Sequence, residues 1–126
     1  MFDKLSIHHF GIVIPKKNQL KIEKSLKKKF KLDFIQGTKV LFIKPFQCEF
    51  YIEYILKMGR VKNAKAGFHH FCYNVKNPKQ IKNILKNYSR VIELTKIEKS
   101  ASKECNYVQF FYFPNLGIIE FNIKNV

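Results

Sequence analysis

All four histidines of the chain occur in two adjacent pairs, His8-His9 and His69-His70, spaced 61 residues apart. Each pair is followed by phenylalanine, Phe10 in the first case and Phe71 in the second. In a chain of 126 residues that interval is close to half the length, which points to an internal duplication. Imidazole is the commonest metal ligand and the side chain that titrates nearest neutral pH. Imidazoles placed equivalently in two related halves therefore suggest a metal site or an acid–base site. A carboxylate repeats in the same way. Tyr51-Ile52-Glu53-Tyr54 aligns over Ile118-Ile119-Glu120-Phe121, so each half carries a glutamate inside an apolar segment, where an unpaired charge is costly.

The elements that must position these groups follow from pattern. Residues 6–14 are β-branched and aromatic, stop at Pro15, and read as a strand. Asn18 can cap a helix over about 18–30, with Ile22, Leu26 and Phe30 on one stripe and Lys27-Lys28-Lys29 on the wet face. Short strands follow at 32–36 and 38–44, joined near Gly37, then a longer one at 47–56 after Pro45. Residues 57–67, with Gly59, Asn63, Ala64 and Gly67, form the linker, and the order then restarts. A strand at 67–75 leads into Asn77-Pro78, a cap followed by a first-turn proline. Ile81, Ile84, Leu85 and Tyr88 make a helical stripe, and strands at 90–97, 105–113 and 117–123 close the half, with a Pro114-Asn115 turn before the last. The pattern is β-α-β-β-β twice.

Composition narrows the class. No apolar run approaches the roughly 20 residues of a membrane span, and Met1-Phe2-Asp3-Lys4 lacks a secretory layout, so the expected location is cytoplasmic, with no membrane partner. The three cysteines, Cys48, Cys72 and Cys105, are odd in number and contain no C-x-x-C pair. They read as reduced, mostly buried thiols rather than a disulfide framework or thiolate zinc site. The net charge of +15 raises nucleic-acid binding, but only Arg60 and Arg90 among 24 basic residues are arginines. Base and phosphate readout favours arginine, so a solvated lysine surface is expected, with attraction of an anionic small substrate next and no nucleic acid as partner.

These features together resemble the vicinal oxygen chelate superfamily, which includes glyoxalase I, methylmalonyl-CoA epimerase, extradiol dioxygenases and bleomycin-resistance proteins. His9-Phe10-Gly11-Ile12-Val13-Ile14 is similar to the family's opening H-x-G-x-x-V strand. Gly67-Phe68-His69-His70-Phe71 is similar to the G-x-H-H start of the second module in CoA epimerases. Phe111-Tyr112-Phe113-Pro114 followed by Gly117-Ile118-Ile119-Glu120 looks like its closing hairpin. The resemblance implies an α+β fold in which two βαβββ modules, about 5–57 and 67–124, form a cupped, incomplete β-barrel with helices outside, within a single domain of residues 1–126. It also implies four metal ligands, His9, Glu53, His70 and Glu120. Strand alternation agrees with that set: His9, Gly11 and Val13 share one face, opposite His8, Phe10, Ile12 and Ile14, which better suit packing beneath a helix.

Two imidazoles and two carboxylates suit a divalent Zn, Ni, Co, Mn or Fe ion. Glu53 and Glu120 are the expected acid–base pair, approaching from pseudo-symmetric sides. The expected function is a metal-dependent epimerase or isomerase, or a lyase, acting by proton transfer next to a carbonyl on a small anionic carbonyl or thioester substrate. A homodimer is expected, since relatives commonly pair. The alternative is a non-catalytic, drug-sequestering protein on the same fold. Methylmalonyl-CoA epimerases carry a further carboxylate after the first helix, and the comparable stretch here offers only Asp33. Glutathione recognition usually leans on arginines, which are scarce. Dioxygenases would use two histidines and one glutamate in a single module. His8 and His69 are expected to be hydrogen-bonding neighbours, and Glu49, Tyr51, Asn74 and Gln109 are candidate lining residues.

Overall fold

The computed structural model describes residues 4–25, 31–35, 38–58 and 61–126, with 31–35 described by backbone alone. Leu26, Phe30, the lysines at 27–29, Gly37, Gly59 and Arg60 lie outside the described residues, as does the side chain of Asp33. Among the described residues no helix is long and apolar enough to cross a membrane. The chain divides into two compact units, His9–His69 on the one hand and Met1–His8 with His70–Val126 on the other.

The first unit is one βαβββ module. β1 (Ile7–Ile14) enters it at His9 and stops at Pro15, which cannot donate to a sheet ladder. A 3-10 turn at Lys16–Asn18 precedes α1 (Gln19–Ser25), so helical bonding begins earlier than Asn18, with the Asn18 N–H donating to the Pro15 carbonyl at 2.9 Å. β2 (Lys31–Ile35), β3 (Thr38–Ile43) and β4 (Tyr51–Leu56) follow in antiparallel succession, and β4 returns parallel to β1. The long strand expected at 47–56 is therefore shorter. Pro45 opens a turn in which Phe46 and Gln47 take φ of 52° and 58°, and this left-handed backbone cannot belong to a strand.

Both faces of this sheet are buried. Val13, Val40, Phe42 and Ile55 cluster on the His9 face, with Tyr51, Val61 and Ala64 against them. Ile14, Leu41 and Leu56 are buried on the other. Along β1, His9, Gly11, Val13 and Ile14 are buried, whereas His8, Phe10 and Ile12 are only partly so.

The second unit repeats the plan. β5 (Gly67–Val75) belongs to it from His70, and α2 (Pro78–Leu85) is capped as expected. The Asn77 side chain accepts from the Gln80 N–H at 3.0 Å, and the Gln80 side chain accepts from the Lys76 N–H at 2.8 Å. The strand expected at 90–97 is present only as two short pieces, β6 (Ile92–Glu93) and β7 (Glu98–Lys99), both paired with β8 (Tyr107–Phe113). The residues between them leave the ladder: Leu94 and Thr95 both donate to one carbonyl, that of Phe110. β9 (Gly117–Ile123) forms a hairpin with β8 and runs parallel to β5, the same return that β4 makes to β1. Its core is Val75, Ile81, Phe111, Phe113, Ile119, Phe121 and Ile123, on the face turned to α2. The architecture is thus α+β, two βαβββ modules.

Candidate metal centre

Register makes the two modules carry the same constellation. In the first, His9 pairs with Tyr51 and Gly11 with Glu53 across the parallel β1–β4 ladder. Side chains alternate along a strand, so His9, Gly11, Tyr51 and Glu53 all point to one side. His9 Nε2 lies 3.4 Å from Glu53 Oε1, and both residues are buried. In the second, His70 pairs with Ile118 and Cys72 with Glu120 across β5–β9. His70 Nε2 lies 3.1 Å from Glu120 Oε1, again with both buried. In each module the glutamate stands opposite the residue two beyond the histidine. The structure therefore joins His9 to Glu53 and His70 to Glu120, the pairing that the aligned halves imply.

An aromatic ring completes each pair. Phe42 is the antiparallel register partner of Glu53, and Phe110 that of Glu120. Each presents an edge-to-face contact to its own histidine, His9–Phe42 and His70–Phe110, both with ring centroids 5.7 Å apart. These phenylalanines were not singled out from sequence. Phe110 was legible in principle, because the Pro114-Asn115 turn fixes which residue of β8 opposes Glu120. Phe42 was not, since the irregular turn at Pro45–Gln47 hides the register of β3 on β4.

The other candidates sort by face. Tyr51 stands on the His9 side, edge-on to Phe42 at 5.7 Å, with the Lys44 ammonium 5.0 Å from its ring. Asn74 shares the His70 face. Gln109 does not share the face of Glu120: it is the register partner of Phe121, on the core side, and donates to Glu93 Oε1 and the Thr95 carbonyl. Glu49 lies in the bend before β4 and is exposed, because the strand begins at Tyr51. His8 is half-buried, with Nε2 2.8 Å from the Glu104 carbonyl. A carbonyl only accepts, so that nitrogen carries the proton and Nδ1 faces the Cys105 sulfur at 3.9 Å. No disulfide joins the cysteines; Cys72 is fully buried, while Cys48 and Cys105 are partly so rather than mostly buried as expected.

The donor spacing fits a divalent ion. Imidazole nitrogen and carboxylate oxygen bind such ions at about 2.1 Å, so two neighbouring ligands lie about 3.0 Å apart at a right angle and about 3.4 Å apart at a tetrahedral one. The two Nε2–Oε1 distances, 3.1 and 3.4 Å, span that interval. Each pair converges a neutral-capable nitrogen and an anionic oxygen from the middle of a strand, where backbone pairing holds both rigidly.

The whole chain is similar to several solved structures. A hypothetical protein from Bacillus halodurans superposes with a TM-score of 0.72 at 19% identity, over 97% of this chain and 96% of that one. Methylmalonyl-CoA epimerase from Mycobacterium tuberculosis gives 0.68 at 12% identity, over 98% and 92%. A methylmalonyl-CoA epimerase in complex with methylmalonyl-CoA gives 0.65 at 12% identity, over 96% and 95%. No protein-family model matches the sequence, and no curated protein matches it. The chain shares the fold of these solved structures.

Proposed function

We propose that this protein is a metal-dependent enzyme that moves a proton to and from the carbon next to a carbonyl, as an epimerase or isomerase or in a lyase reaction. His9, Glu53, His70 and Glu120 would hold the ion, with the two modules acting as one domain. The observation that carries the reading is the repeated buried imidazole–carboxylate pair, built from identical register relations in both modules. When bound, a divalent cation supplies polarisation of the substrate's oxygens, which makes the adjacent C–H acidic. Glu53 and Glu120 accept and return the proton at that carbon, each supported by a strand centre and an aromatic edge that keep bulk water from its imidazole partner. The substrate class is a small anionic carbonyl compound or thioester, in keeping with the +15 charge and with the ligand of the similar epimerase complex. A cytoplasmic homodimer is the proposed working form.

Metal analysis of the purified protein tests the reading, combined with proton NMR of candidate thioesters and α-hydroxy ketones in deuterium oxide. Stoichiometric metal that is lost in His70→Ala and in Glu120→Gln, with deuterium entering the carbon beside a carbonyl, is the expected result. Metal-free protein that binds a small organic ligand and exchanges none of its protons would instead establish the sequestering alternative.

A further inference from the structure

Within the second unit, the face that carries His70 and Glu120 continues into a hollow built for an anion. Asn122 stands two residues beyond Glu120 on β9, and Asn74 four beyond His70 on β5; the two are register partners. They belong to a fixed chain of polar groups. The Asn106 backbone N–H donates to Asn122 Oδ1 at 2.9 Å, which sets the orientation of that amide. Asn122 Nδ2 then donates to Asn74 Oδ1 at 3.1 Å, and Asn74 Nδ2 donates to Ser6 Oγ at 2.9 Å. Each amide oxygen already accepts one bond, and each amide keeps a second N–H that can donate into the hollow.

These donors line a hollow of about 540 Å³ whose cationic wall is Lys4, Lys76 and Lys124. It adjoins a second hollow of about 530 Å³, sharing Asn106 and Lys124, where Lys99 adds a further ammonium group. Among the described residues no carboxylate lines either one. The polar side chains of the first hollow are amides, a hydroxyl and ammonium groups, beside apolar Leu5 and Val75, and such a lining suits a compact multivalent anion. Strand rise puts Asn122 roughly 7 Å beyond Glu120 and Asn74 roughly 13 Å beyond His70.

We propose that this hollow is the phosphoryl subsite of the enzyme: it holds a phosphate or diphosphate at the far end of a substrate whose carbonyl lies at His70 and Glu120. The proposal rests on the proton-transfer reading for the role of that carbonyl, but the anion site itself stands apart from it. It narrows the substrate to a carbonyl or thioester compound with a spacer of roughly 10 Å before its phosphoryl group, longer than a triose phosphate offers.

The test uses the full chain, freed of metal with EDTA, and inorganic pyrophosphate as the probe. Binding is followed by calorimetry and by the side-chain amide resonances of Asn74 and Asn122. Those resonances should shift on saturation. Lys124→Ala and Lys76→Ala should each weaken binding roughly fivefold or more. Lys86→Ala, which removes the same charge from the exposed end of α2, should leave binding unchanged, and Glu120→Gln should retain it. Equal weakening by Lys86→Ala, unmoved Asn74 and Asn122 resonances, or no binding at low salt would overturn the subsite. A metal-loaded, proton-exchanging enzyme that ignores pyrophosphate overturns this subsite alone. Pyrophosphate binding by a protein that carries no metal as purified, before any EDTA, and takes up none when metal is added overturns only the catalytic reading.

Discussion

At the scale of single residues, neighbours in sequence have opposite fates. His9 Nε2 converges on a carboxylate, whereas His8 spends its Nε2–H on the Glu104 carbonyl. His8→Ala is therefore expected to keep the metal stoichiometry and to lose about 1 kcal/mol in denaturant melts, while His9→Ala loses the ion. Phe42 is almost wholly buried against His9 and Tyr51, so Phe42→Ala should cost about 3–5 kcal/mol by the same measurement. The four candidate ligands stood out in the sequence because one histidine and one glutamate recur at matched places in each half. The rings beside them were not, since phenylalanine is common throughout this chain and its default reading is core.

Elements carry their own tests. The β8–β9 turn holds Asn115 at φ 69°, with the Leu116 N–H bonded to the Phe113 carbonyl at 3.0 Å, as a proline-led type II turn requires. Asn115→Ala should cost about 1 kcal/mol in thermal melts, and Asn115→Gly little or nothing. α1 is tied to β3 by the Glu23–Lys39 bridge at 2.8 Å. The Lys39 hydrogen bond is the main cause that holds the Glu23 carboxyl below its ordinary range. A lowered folded pKa means the contribution is present above the ordinary carboxylate pKa and lost as pH falls through the lowered one. Lys39→Met should thus cost no more than about 0.5 kcal/mol at neutral pH and nothing in strong acid, followed by urea melts across pH. Strand and helix identities were readable from period and punctuation. The shortening of β4 and the splitting into β6 and β7 were not, because left-handed Phe46 and the shared Phe110 carbonyl are tertiary outcomes with no local sequence sign.

For the molecule as a whole, the βαβββ plan was visible in the sequence, and the solved structures share it at 19% and 12% identity. So few shared residues suffice because the plan needs only alternation, two returns of a last strand to a first, and a turn at each hairpin. A ligand that binds only the folded chain raises its stability by mass action. Saturating the protein with its metal at a hundred times the dissociation constant should add about 2.7 kcal/mol, read as a melting temperature that falls when EDTA is added. Melts that ignore EDTA would count against the proposed ion.

The two modules differ opposite their glutamates: the register partner of Glu53 is Gly11, which offers bare backbone, and that of Glu120 is Cys72, which carries a thiol. Two carboxylates with unlike neighbours offer unequal flanks to whatever lies beside them. Under the proposed reaction the two epimers of a substrate would then be converted at different speeds at saturation, although their final ratio would not move.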